Sequence, residues 1–174
     1  MTIGEIGSIG GLVGAVATVA TLVYLSLQIR ANTLAAKQQS LSEFIDRVVQ
    51  WQARIVSSPE SLHSWAEGAK SWHNLDIAEQ IRFSSLAVEI FAACEAILES
   101  AKFGGIKAET VRAIEGMIHQ LLRNKGVQEY WEVSGSKVMA MDFVREVNVI
   151  MEASRNDNSD IPGPLPLHMP SVEI

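Results

Sequence analysis

Carboxylate–histidine pairs are the first places where this chain could do chemistry. Glu60 and His63 have the Glu-x-x-His spacing. Di-iron helical bundles use that motif twice, with one further Glu from each of two other helices. No second Glu-x-x-His occurs in the chain. Glu115 and His119 stand four apart, a spacing that can place two ligands on one helical face. A single pair does not complete a metal site, so no metal is expected, and His119 reads as a solvated side chain. No Gly-rich phosphate loop follows a strand, and neither a G-x-S-x-G elbow nor a Cys–His pairing is present. No catalytic set and no cofactor are expected.

Glu95 is the one acid out of place. It falls on an apolar helical stripe, where an unpaired carboxylate would be costly or protonated. One reading makes it a buried acid with a raised pKa lining a pocket. The preferred reading is structural, with Glu95 bonded to the Trp131 N–H, an Arg or a loop amide. Trp51, Trp65, Trp72 and Trp131 could line an aromatic pocket, but core and edge packing is the preferred reading. Cys94 is the only cysteine, so no internal disulfide can form, which suits a reducing compartment. The formal net charge of −6 argues against nucleic acid as a partner.

The elements that would position these residues begin with an apolar stretch. Ile6 to Ile29 contains no Asp, Glu, Lys or Arg. As a helix it would run roughly 36 Å, enough for the roughly 30 Å hydrocarbon core of a bilayer. A cleaved signal peptide would need a basic start and a small-residue cleavage site. Met1 to Glu5 has no basic residue, and the run ends in Gln28-Ile29-Arg30. The stretch therefore reads as a retained transmembrane helix. The alternative is a buried core helix, but one this long normally shows a polar face. Here only Ser8, Thr18, Thr21 and Ser26 are polar before the exit.

Basic residues follow the stretch at Arg30, Lys37, Arg47 and Arg54, and none precede it. That bias predicts an outside N-terminus and a cytoplasmic body. Tyr24, Gln28 and Arg30 form the membrane exit. Gly7, Gly11 and Ala15 are four apart, as are Gly10, Gly14 and Thr18. Such small-xxx-small rows let helix backbones approach closely in lipid. The expected partners are the lipid bilayer and either a second copy or another membrane subunit.

Tyr24, Leu25, Gln28, Ile29, Arg30, Asn32 and Thr33 carry a likeness to known proteins. The opening resembles a family of small, uncharacterised bacterial membrane proteins, with a glycine-rich span, a Tyr-Leu-x-x-Gln-Ile-Arg-x-Asn-Thr-like exit and a helical domain. Phe91 to Glu95, Gly104-Gly105, and Gly126 followed by Tyr130-Trp131 extend it to about Ile150. The resemblance implies a bacterial inner-membrane location and a single-pass topology, with no activity attached. The Pro-rich tail is not part of its pattern.

The rest reads as helices. Leu34, Leu41, Ile45, Val48, Gln52 and Ile55 follow helical steps, so Ala31 to Val56 is expected to continue the span as a stalk. Ser57-Ser58-Pro59-Glu60 stops it and starts a helix to about Ala69. Asp76 to Glu79 is a capping box opening a long helix to about Phe103. That helix carries one strip of Ile77, Ile81, Ser84, Val88, Phe91, Glu95 and Leu98, and a second of Leu86, Ile90, Cys94 and Ile97. Gly104-Gly105 ends it. A helix from about Lys107 to Asn124 places Val111, Ile114, Ile118 and Leu121 inward. Gly126 breaks the chain, and Val127 to Glu132 is a short turn. Lys137 to about Ala153 forms a last helix, burying Val138, Met141, Val144 and Val147 or Val149.

The tail, with Pro162, Pro164, Leu165, Pro166 and Leu167, can be neither helix nor central strand. It reads as a disordered end or as a segment docked in a groove.

The expected fold is all-α: one N-terminal transmembrane helix continuing into a stalk, a cytoplasmic bundle of about four further helices, and the tail. Its parts are an anchor at 1–30, stalk and bundle at 31–154, and the tail at 155–174. The expected function is a non-enzymatic, membrane-anchored assembly or scaffold protein, self-associating or an accessory subunit of a larger complex. A membrane-tethered small-molecule sensor is the alternative, and a tethered enzyme the third.

Overall fold

A computed structural model describes residues 3–104 and 106–156, with side chains of the first helix from residue 14 onward, residue 16 excepted. The described residues are all-helical, with no strand. Six helices follow in order: α1 (Ile3–Val56), α2 (Pro59–Lys70), α3 (Ile77–Lys102), α4 (Ala108–Leu122), α5 (Lys125–Val133) and α6 (Met141–Asn156). Single 3-10 turns sit at Trp72–Asn74 and Gly135–Lys137. The chain divides into two compact units, Met1–Gln39 and Ser40–Ile174. Pro162, Pro164, Leu165, Pro166 and Leu167 lie outside the described residues, as does Gly105.

Local chemistry sets the helix ends. Ser58 caps α2, its hydroxyl accepting the Ser61 amide at 3.1 Å, with Pro59 in the first turn. At α3 the capping box is complete. The Glu79 amide donates to Asp76 at 2.8 Å and the Asp76 amide to Glu79 at 3.1 Å. Gly104, at φ 76°, turns the chain after α3 in the left-handed region that a side chain disfavours.

The second unit is built on α3. Phe83, Leu86, Ala87, Ile90, Phe91, Ala93, Cys94, Ile97 and Leu98 are all buried along it. Phe44, Val48, Trp51 and Ile55 of α1 join this core. Trp65 links the layers, edge-on to Trp51 at 5.1 Å and stacked on Phe83 at 5.0 Å. The first strip expected on α3 is only partly inward. Phe91 and Leu98 are buried, but Ile77 and Ile81 are exposed. The early turns of α3 bury the side carrying Phe83, and Trp65 stacks there.

Two further expectations change. Residues 125–133 form a helix rather than a turn, so five helices follow α1 among the described residues. Gly126 lies buried inside α5 and does not break the chain. An added Cβ there would lie 1.6 Å from the Gly68 carbonyl oxygen, because the α2 and α5 backbones touch. The last helix starts at Met141, not Lys137. Phe143, Val147 and Met151 are its apolar core residues, while Val138, Met141 and Val149 are exposed. The covered face is centred on the Phe143, Val147 and Met151 row, with Val144 half-buried beside it. The C-terminal end of α4 is held by side chains: Gln128 donates to the Leu122 carbonyl at 2.6 Å and Ser154 of α6 at 3.3 Å.

Candidate functional surface

In the first unit, the described side chains of α1 from Gly14 to Ile29 are mostly apolar and exposed. Val19, Leu22, Val23, Tyr24, Leu25, Leu27 and Ile29 are each 44–65 % exposed. At 100° per residue these positions fall on every side of the helix. A helix that is apolar all round belongs in a core or in a membrane. The α1 threonine hydroxyls are exposed but bonded to their own helix. Thr18 donates its hydroxyl to the Gly14 carbonyl at 2.9 Å, Thr21 to Ala17 at 2.8 Å and Thr33 to Ile29 at 2.8 Å. Each hydroxyl is satisfied within its own helix, leaving mainly the methyl group outward. Among the described residues no helix is long and apolar enough to cross a membrane, and the described side chains take in the apolar stretch only from Gly14 onward.

The expected packing face is visible in part. Gly14, Ala15 and Thr18 are exposed, and a Cβ on Gly14 would meet nothing within 4 Å. Gly7, Gly10 and Gly11 lie in α1 with surroundings outside the described residues. Tyr24, Gln28 and Arg30 are exposed on the same helix.

In the second unit, Glu95 is half-buried rather than a buried acid. Its Oε1 accepts the Ala140 amide at 2.6 Å, immediately before α6. That is the loop-amide bond of the structural reading. It also positions a carboxylate at a helix N-terminus, where the dipole favours one. Glu95 lies on an open cleft of about 640 Å³ between α3 and the start of α6. The other charged groups on the cleft are also partnered. Lys102 bridges Glu99 at 3.0 Å and Glu146 at 3.6 Å, and Asp142 pairs with Arg145. The hydrogen bond that Lys102 donates to Glu99 leads in holding its ammonium above the usual range.

The remaining candidates do not assemble into a site. His63 Nε2 stands 3.5 Å from Glu79, so it meets the capping carboxylate of α3 rather than a second ligand pair. Among the described residues no cluster of His, Cys, Asp and Glu could hold a metal. Cys94 is fully buried, and burial pushes its thiol well above the usual range. Trp51, Trp65 and Trp131 are core, and Trp72 packs half-buried against it. Trp51 donates to the Leu86 carbonyl at 2.8 Å, Trp131 to Asn148 at 2.9 Å, and half-buried Trp72 to Ser84 at 3.2 Å. Tyr130 is buried too, which pushes its phenol up to about 12.

Sequence reasoning missed Glu129. Its side chain, 14 % exposed, accepts the Ser71 hydroxyl at 3.0 Å and the His73 amide at 3.3 Å, with Lys125 at 3.4 Å. Burial alone would raise its pKa, but these donors together bring it below the usual value. The residue ties α5 to the turn after α2, a pairing invisible in the sequence because 56 positions separate the partners. A lowered folded pKa means stability that is present above the usual carboxylate pKa of about 4.3 and lost as pH falls through the folded value. Glu129→Ala should cost about 1.5–3 kcal/mol at pH 7. The gap should narrow as pH falls below the usual carboxylate value, as read by urea unfolding across an acid pH series.

No family model, curated protein or solved structure matches this chain. The functional reading therefore rests on its own residues.

Proposed function

We propose that this chain is a non-enzymatic, membrane-anchored assembly protein. The observation that carries this reading is the uncovered apolar surface on every side of α1, with its threonine hydroxyls bonded inward. Ile6 to Ile29 spans the bilayer, and the basic residues that follow it place the helical bundle on the cytoplasmic side of a bacterial inner membrane.

The row of Gly7, Gly11 and Ala15 and the row of Gly10, Gly14 and Thr18 admit a second helix at close range. That helix belongs to another copy or to a different membrane subunit. Lipid supplies no hydrophobic drive between helices, so association depends on this close packing. Gly11→Leu with Gly14→Leu should weaken assembly about tenfold, the effect of losing roughly 1.4 kcal/mol of contact. Mass measurement of the intact complex in gentle detergent reads this directly. A complex of unchanged mass and stability would overturn the packing role.

The sensor alternative rests on the cleft beside Glu95. It ranks second because Glu95, Glu99, Asp142 and Glu146 each already engage a group of their own chain. Among the described residues no constellation supports the enzyme reading.

A further inference from the structure

We infer that the segment of α1 just past the apolar stretch is a binding face for anionic phospholipid headgroups. The inference rests on the anchored reading above and adds the class of lipid. Leu27, Arg30, Leu34 and Lys37 follow steps of three, four and three, which is one face of a helix. Leu27, Arg30 and Leu34 are exposed and Lys37 is partly so. Leucines and cations therefore alternate along a single stripe.

Charge points to the occupant. From Ile6 to Ser42 the chain carries Arg30 and Lys37 and no acid, and the first carboxylate after Glu5 is Glu43. The whole chain has net charge −6, so residues 6–42, at +2, stand against −8 in the remainder. An anionic surface attracts this segment and repels much of the remainder.

The geometry is compatible. Arg30 directly follows Ile29 and falls in the headgroup layer, which is roughly 5–8 Å thick on each side. Lys37 lies roughly 12 Å beyond Ile29 along the axis, and its long stem can bring the ammonium back to the phosphates. Leu34, between the two cations, is exposed on the same face.

The test uses the full chain reconstituted into phosphatidylcholine vesicles, with or without one-third phosphatidylglycerol. Spin-labelled phosphatidylglycerol and phosphatidylcholine then compete for the layer of lipid immobilised by the protein. Two cations should favour the anionic label by about 25-fold at low salt, about fivefold from each. The preference should fall as salt screens it. Arg30→Gln with Lys37→Gln should bring it close to one. Equal affinity for both labels, or an unchanged preference in the double variant, would overturn the inference alone. Loss of the protein from both kinds of vesicle on alkaline washing would overturn the anchor reading and the inference together.

Discussion

Gly126→Ala is expected to destabilise the helical unit strongly. The added carbon would sit 1.6 Å from the Gly68 carbonyl oxygen, 2.8 Å from the Gly68 carbonyl carbon and 2.9 Å from the Trp72 amide nitrogen. All three are backbone atoms, so no side-chain rotation relieves the clash. The two helices must separate, and Gly68 cannot slide inward because Phe83 already packs against its Cα side. Overpacking commonly costs about 1–3 kcal/mol, and a backbone collision belongs at or above the top of that range. Against a typical stability of about 5–15 kcal/mol, the melting temperature should fall by at least about 10 °C. Gly116→Ala provides the contrast. Gly116 is exposed within α4, and an added Cβ meets nothing within 4 Å. It should gain about 0.5–1 kcal/mol from helix propensity alone. Thermal unfolding of both variants by circular dichroism decides the matter. Equal melting temperatures would refute the touching backbones.

Val19→Arg with Leu22→Arg should release the protein from membranes. Val19 is close to the midpoint of the Ile6–Ile29 stretch, and both residues are exposed on α1. A charge at the centre of a membrane helix costs about 2.5–3.5 kcal/mol, so two cost roughly 5–7 kcal/mol, reduced by whatever snorkelling the long side chains achieve. The variant should move to the wash fraction under alkaline extraction, while the wild-type chain stays with the lipid. Unfolding of the bundle should be unaffected, because both residues precede the Ser40–Ile174 unit. A double variant that stays membrane-bound would refute the anchored reading.

The two predictions probe different levels of information. The all-helical character was legible because it rests on local rules. Ser58-Pro59, the Asp76–Glu79 box and Gly104 each act within a few residues, and their helix ends fall close to where those signals point. The apolar stretch was legible for the same reason, since the absence of charge from Ile6 to Ile29 is a property of the chain itself. The structural reading of Glu95 could be narrowed to three kinds of donor, because a carboxylate on an apolar stripe needs one. Which donor it found depended on where α6 begins, and the sequence pattern set that start too early.

Tertiary structure alone decided the rest. Periodicity shows that a helix has an apolar side, but the neighbouring element determines which turns of that side are covered. Ile77 and Ile81 therefore fit the stripe yet remain exposed, while Phe83 is buried under Trp65. Gly126 looks like a breaker in the sequence because glycine lowers helix propensity. In the fold it is the residue whose missing side chain lets α2 and α5 meet. Glu129 reads as an ordinary surface acid until the turn at Ser71–His73 is brought against it. Helix ends, helix type and the charge-free stretch are set by neighbours along the chain. Contacts between helices depend on distances between residues far apart in sequence, and only the packed chain supplies those distances.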